Sequence, residues 1–268
     1  MRIALATCLV LLATPAGATT ITYNNFASTA GLSVNGNAAA VTDTSGRSVL
    51  RLTPSTGTQV GSAFTTSTVA LGSNASFSAA FGFNINQLGN GGADGLVFVV
   101  QTTSSNGGSS GEGIGYSGIT NSVGVKFDTY KNTGDLSANF VGVVLGGNIN
   151  AVSSAASPYN LKGGTDLYGF VDYNGATKSL QVRLSNTTAR PSAALIDYTV
   201  DLVAQLNSSN AYVGFTSATG GSYANHDILN MQFVNTYSPV NVPEPVSIAL
   251  LGTALAMTSV LRRRQRPG

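Results

Sequence analysis

The sequence predicts one all-β domain, and three observations carry that prediction. Several stretches alternate apolar with polar or small residues at a period of two, as in Val123-Gly-Val-Lys-Phe-Asp128, the mark of a strand with two different faces. Only 9% of the 268 residues are charged while 32 are glycine, and Ser, Thr and Asn fill much of the rest, so strand formers are punctuated by turn residues. With both chain ends set aside, about 220 residues remain, enough for one sizeable sandwich and too few for two comfortable domains.

Composition also restricts function. Arg2, Arg262, Arg263, Arg264 and Arg266 are five of the 13 basic residues, and Glu244 is one of the 11 acidic ones. The body from Thr19 to Val240 therefore has eight basic and ten acidic residues, a net charge of −2. It has no basic patch, which argues against a nucleic-acid partner. The one cysteine, Cys8, falls in the leader, so no disulfide is expected in the body.

Residues 1–18 read as a secretory signal peptide. Arg2 is the charged start, Ile3 to Ala13 the apolar run, and Ala16-Gly17-Ala18 a small-x-small cleavage site. The run is too short to span a bilayer. Strands begin at Ile21. Ser48 to Thr53 reads as a strand closed by a turn at Pro54 to Gly57, and Val60 to Phe64 as the next. Ser76 to Phe83 alternates aromatic and small residues and should turn one side to the core. Leu96 to Val99 reads as a buried strand. Before it, the glycines of Gly91-Gly92-Ala93-Asp94-Gly95 let the backbone make a tight, exposed turn around one Asp.

Ser104 to Gly118 is a Gly/Ser-rich loop. Val123 to Asp128 and Phe140 to Leu145 are strands flanking a polar loop with Asp128, Asn132 and Asp135. Asn148 to Gly164 reads as irregular. Leu167 to Tyr173 and Leu180 to Leu184 form a hairpin across Asn174-Gly175. Tyr212 to Gly220 is a strand running into a loop, and His226 to Phe233 the closing strand.

The polar loop is the main candidate for chemistry. Two carboxylates and a carboxamide, with backbone carbonyls nearby, are hard oxygen donors, and calcium takes six to eight of these at roughly 2.3–2.6 Å. The spacing is not that of an EF-hand. The residues alone leave open an acidic surface loop without a metal.

With its flanks, the loop reads Val123-x-Val125-Lys126-Phe127-Asp128-Thr129-Tyr130-x-Asn132, then Asp135, then Phe140-Val-Gly-Val143. It resembles the metal loop of the legume-type (L-type) lectins, relatives of concanavalin A. Asn24-Asn25-Phe26, Ala93-Asp94-Gly95, Gly111-Glu-Gly-Ile-Gly115, the 167–184 hairpin and the last two strands follow the same family's order. The resemblance covers roughly Ile21 to Tyr237. It implies a concanavalin A-like jelly-roll sandwich of antiparallel sheets with binding loops at one end. It implies calcium held by Asp128, the Tyr130 carbonyl, Asn132 and Asp135. Lys126 and Phe140 stand where the family has a Glu and a His beside a transition metal, so that second site is expected to be absent. The Lys126 ammonium is expected in place of that ion, paired with Asp128. The Asn132 to Asp135 gap is shorter than in the plant pattern.

For sugar, the resemblance implies Asp94 accepting from two hydroxyls after a peptide bond that is usually cis. It adds a backbone N–H at Gly113, the Asn132 side chain, Tyr130 as an aromatic platform, and a specificity loop at Gly220 and Gly221. Glu112 stands where relatives often have Gly and is expected to be solvated. Met231 replaces a usual Trp in the core. His226, the one histidine, is expected to be structural.

The tail, residues 241–268, has Pro243-Glu244-Pro245, an apolar run from Val246 to Leu261 that suggests a short hydrophobic helix, and a basic end at Arg262 to Arg266. It resembles the PEP-CTERM sorting tails of Gram-negative bacteria, in which an exosortase recognises the Pro-Glu-Pro and removes the helix. This implies export to the cell surface or extracellular matrix, with transient anchoring in the inner membrane.

The expected function is a non-catalytic lectin for a glycan or exopolysaccharide. Glycosidases need two carboxylates about 5–9.5 Å apart, and no Glu-x-Asp cluster, Ser-His-Asp or Cys-His arrangement is evident. The alternative is a structural matrix protein that keeps the fold without the sugar. The sugar and the oligomeric state are not legible.

Overall fold

The computed structural model describes residues 18–242 apart from 73, 104 and 105. The leader up to residue 17, the Pro243-Glu244-Pro245 motif and the expected tail helix lie outside the described residues.

The strands are β1 (Thr20–Tyr23), β2 (Leu32–Gly36), β3 (Ala39–Thr42), β4 (Ser48–Thr53), β5 (Val60–Thr65), β6 (Val69–Ala70), β7 (Phe77–Gly89) and β8 (Gly95–Gln101). They continue as β9 (Ser122–Asp128), β10 (Phe140–Leu145), β11 (Asn148–Ala156), β12 (Leu167–Asn174), β13 (Ser179–Ser185), β14 (Ile196–Thr199), β15 (Asn210–Ala218) and β16 (Tyr223–Val234). One sheet runs β14-β13-β12-β7-β16-β4-β3 with β1 on β16; the other runs β11-β10-β9-β8-β15-β5-β2 with β6 on β15. Every pairing is antiparallel, so the expected sandwich of antiparallel sheets is observed.

The alternation read in the sequence places the core. Phe77, Phe81, Phe83 and Ile85 of β7 point inward with Leu96 and Phe98 of β8, Phe127 of β9 and Phe215 of β15. Phe81 lies 5.5 Å from Phe98, 5.8 Å from Phe127 and 5.0 Å from Phe215, centroid to centroid. Buried aromatic pairs of this kind contribute beyond their area, about 0.5–1.5 kcal/mol each. The outer face of the second sheet is covered too: Ile114, Tyr116 and Ile119 pack on Phe64, Val97, Val99 and Val144. The Gly/Ser-rich loop is thereby folded over the sheet rather than left in solvent. Met231 is buried, as expected for a core replacement.

Two local expectations are corrected, and one element is new. Residues 148–156, read as irregular, form β11 paired with β10. Its side chains are mostly Asn, Ser and Ala, and one face is exposed, so an edge strand here has little apolar signature. β7 continues to Gly89, six residues past the aromatic run, because Asn84 and Asn86 are satisfied by Asp166, Asp227 and Asn225 side chains. A short helix, α1 (Leu202–Leu206), follows β14, with the Asp201 carboxylate accepting from Ala204 N–H at 3.1 Å as its N-cap.

Candidate functional site

At one end of the second sheet, Gly95 pairs with Asp128 on one side and with Ala218 on the other, and Asp128 pairs with Phe140. The sheet therefore brings together three loops far apart in sequence, 91–94, 129–139 and 219–222. The fourth comes from the folded-over segment, whose single turn spans Gly111–Gly113. A methyl group placed on Gly220 would lie 3.7 Å from Asp94 Oδ2 and 3.8 Å from Gly111 Cα. Beside Gly111 and Gly221 an added methyl would meet nothing within 4 Å. Asp94, Gly111 and Gly220 thus converge at an open, side-chain-poor junction. A separate cavity, lined by Asn24, Arg47, Asp166 and Tyr168 among others, sits on the other sheet and shares none of these residues.

The Ala93–Asp94 peptide bond is cis, as the resemblance implied. The turn is fixed from both neighbours. Asp94 N–H donates to the Ala218 carbonyl at 3.1 Å, and Thr129 N–H donates to the Asp94 carbonyl at 3.1 Å. Gly95 has φ +123°, and a methyl there would stand 2.2 Å from the Phe127 carbonyl oxygen, so only glycine fits. Behind it, Gly95 N–H donates to His226 Nε2 at 3.2 Å while His226 Nδ1 meets Thr53 Oγ1 at 2.8 Å. Nε2 as acceptor puts the proton on Nδ1. Ser217 Oγ donates to the Gly95 carbonyl at 2.7 Å and contacts Thr53 Oγ1 at 3.2 Å. Burial pulls the His226 pKa down to about 3, so this ring is a neutral brace.

Asp94 itself is 5% exposed, and its Oδ2 has no hydrogen-bond partner among the described residues. Burial, then Asp128 and Glu112, push its pKa up to about 7. A buried, unpaired acceptor is costly to the fold, which marks Asp94 as held for something other than stability.

A residue the sequence did not flag completes the turn. Lys162 Nζ donates to the carbonyls of Gly91 at 2.6 Å, Gly92 at 3.1 Å and Thr129 at 2.8 Å. One ammonium therefore ties the Asp94 turn to the polar loop. Nothing in the local pattern around Lys162 marks it, because its partners are 33 to 71 residues away.

On β9, beside the polar loop, Lys126 is 1% exposed, and its Nζ lies 3.1 Å from Asp128 Oδ2 and 2.7 Å from Asp135 Oδ1. It also sits 4.6 Å from the centroid of Phe140. The pair with Asp128 is the expected one; the contacts with Asp135 and the Phe140 ring are additional. Asp128 Oδ1 accepts Tyr130 N–H at 3.0 Å and Asp135 Oδ2 accepts Asn132 N–H at 2.9 Å. Burial still raises the Asp128 pKa to about 6, against the pull of Lys126.

A transition metal does not fit here, because Lys126 and Phe140 offer it no donor and the ammonium already bridges both carboxylates. Calcium is chemically different. Among the described residues no group of three or more His, Cys, Asp or Glu side chains could hold a metal ion. Calcium, however, also accepts carbonyl and carboxamide oxygens. The Tyr130 carbonyl and the Asn132 side chain take part in no hydrogen bond among the described residues, and Thr129 Oγ1 is buried without a partner. That donor chemistry fits calcium.

Of the other expected sugar contacts, Tyr130 is 41% exposed, Asn132 is half-buried, Gly220 lines the junction and Gly221 is exposed next to it. Gly113 is different. It is buried, and its N–H is used internally, donating to the Ser110 carbonyl at 3.3 Å. The Gly111 and Glu112 N–H groups of the same turn make no hydrogen bond among the described residues.

A legume lectin domain model matches residues 18–246. The chain belongs to the legume lectin domain family. Basic agglutinin from Psophocarpus tetragonolobus is 34% identical over 180 residues, covering 60% of this chain and 70% of the agglutinin. The L-type lectin-domain containing receptor kinase VIII.1 from Arabidopsis thaliana is 30% identical over 173 residues, 60% of this chain. The matched part is only 24% of the kinase's length. The crystal structure of basic winged bean lectin with Tn-antigen superposes with a TM-score of 0.68 at 26% identity, covering 81% of this chain and 98% of that one. This legume lectin domain therefore shares the sandwich fold of the winged bean lectin.

Proposed function

We propose that this protein is an exported, non-catalytic lectin that binds a glycan or exopolysaccharide at the junction of Asp94, the Gly111–Gly113 turn, Tyr130, Asn132, Gly220 and Gly221. The observation that carries the reading is the buried Asp94 carboxylate with an unpaired oxygen at an open junction. Two sugar hydroxyls would satisfy it, and the exposed Tyr130 ring offers a flat face for C–H groups. The Tn-antigen bound by the winged bean lectin supports a saccharide as the ligand class. Calcium, held by Asp128, the Tyr130 carbonyl, Asn132 and Asp135, would supply fixed positive charge to the loop. Lys162 holds the Asp94 turn to that loop, and Lys126 neutralises the carboxylates from behind. The leader and the Pro243-Glu244-Pro245 tail support export and exosortase processing at a Gram-negative surface. The loss of both transition-metal ligands favours, as a second reading, a matrix protein that keeps the fold and no longer binds sugar.

Glycan-array and calorimetric binding with added calcium decide between the two. Binding to a defined glycan supports the lectin; binding to none supports the matrix protein. Calcium is expected to raise the melting temperature. At a hundredfold excess over its dissociation constant the gain is about 2.7 kcal/mol, which for a domain of this size is a shift of roughly 5–10 °C. An unchanged melt with calcium and with chelator removes calcium from the proposal. Lys162→Met is expected to weaken glycan binding about tenfold, the scale of losing charged hydrogen bonds to carbonyls. Its effect on the melt should be small, since the side chain is only half-buried.

A further inference from the structure

Two carboxylates at the loop junction, Asp94 and Glu112, stand outside every ion pair among the described residues. Asp94 Oδ2 is unpartnered in a residue that is 5% exposed, and it lies 3.7 Å from where a methyl group on Gly220 would stand. Gly111 flanks the same point, and the next residue, Glu112, is exposed in the turn. Of the nearby ammonium groups, Lys126 pairs with Asp128 and Asp135, while Lys162 donates to three neutral carbonyls and keeps its charge beside the turn. Lys131, exposed on the polar loop, makes no ion pair among the described residues and is the competing influence. The field of Glu112 already reaches Asp94, since it is one of the causes that raise that carboxyl.

A neutral sugar can donate hydroxyls to Asp94 and still leave Glu112 uncompensated. A sugar bearing an ammonium group supplies donors and counter-charge together, and charge-assisted hydrogen bonds are the stronger kind. We propose that the junction selects saccharides with a free, protonated amine, of the 2-amino-2-deoxyhexose class, and that Glu112 sets this preference. The proposal rests on the carbohydrate-binding reading of the same junction.

The test is calorimetric titration of the full-length protein near neutral pH with glucosamine, galactosamine, their N-acetyl forms, the parent hexoses and hexuronates. The free amines are expected to bind about tenfold tighter than the N-acetyl forms. That ratio should collapse toward one in Glu112→Gln, persist in part in Glu112→Asp, and shrink in wild type at about 0.5 M salt, where exposed charges are screened. Should Glu112→Gln fail to fold, the wild-type salt series decides. A ratio of one in wild type, an unchanged ratio in Glu112→Gln, or hexuronates binding tightest through Lys131 overturns the proposal. Neutral hexoses binding without amine preference leave the lectin reading standing; no binding by any sugar class removes both.

Discussion

Asp94→Asn is expected to abolish glycan binding and to raise the melting temperature of the same protein. The two effects share one cause. The carboxylate is buried, Oδ2 is unpaired, and its pKa is raised to about 7. The unfolded chain holds an Asp at its ordinary value, roughly 3.9. Above pH 7 the folded state must therefore carry a charge that burial, Asp128 and Glu112 all oppose. As pH falls through about 7 the folded state binds the proton first, so this group's contribution to stability rises with falling pH until the unfolded value is reached. An amide removes the charge. The gain at pH 8 should be about 1–2 kcal/mol once residual solvent screening is allowed for, or a few degrees in a melt with chelator present. The gap between variant and wild type should close near pH 4. Binding should fail because the amide offers only one acceptor oxygen where two hydroxyls must donate. A variant that is less stable than wild type at pH 8, or that still binds glycan, would contradict the assignment of Asp94 as a strained binding group.

Directly behind Asp94, His226 titrates with the opposite sign. Its folded value of about 3 lies below the ordinary one, so its contribution is present above roughly pH 6.5 and is lost as pH falls toward 3. The acid limb of the wild-type profile is the sum of a carboxyl that relaxes and an imidazole that resists. Removing the carboxyl should expose the imidazole's decline.

The parts of this site that repeat a local pattern were legible in the sequence; the parts that act across the sheet were not. Apolar strands such as β4 and β10 begin and end where the sequence reading places them, because a register slip would expose their buried apolar side chains. β11 escaped because an edge strand of small polar residues buries too little to leave a trace. α1 escaped because five residues give barely more than one turn of periodicity. Asp94, Asp128 and Asp135 could be placed from motif order. Lys162 could not, since its role exists only once β8, β9 and the 157–166 connection meet. Which N–H groups the Gly111–Gly113 turn leaves unused was not legible, because hydrogen bonding inside a single turn depends on its geometry and not on glycine spacing.

Lys126→Met should be the most destabilising single change at the loop. The side chain is almost wholly buried, and methionine keeps most of its volume, so packing loss is small and charge loss dominates. What remains is Asp128 and Asp135, two carboxylates that had shared one ammonium, now facing each other without it. Removing one partner of a buried ion pair typically costs 3–5 kcal/mol, about 6–20 °C for a domain of this size. The loss should be largest with chelator and smaller with calcium, because a divalent ion held by the same two carboxylates restores the missing charge. In wild type the ammonium and calcium repel one another, so calcium should bind Lys126→Met more tightly than wild type. Melts with chelator and with calcium, on both proteins, give four numbers whose double difference is the coupling between the lysine and the ion. A coupling near zero would mean that calcium does not share these carboxylates. A fully stable Lys126→Met in chelator would mean that the loop never depended on the ammonium.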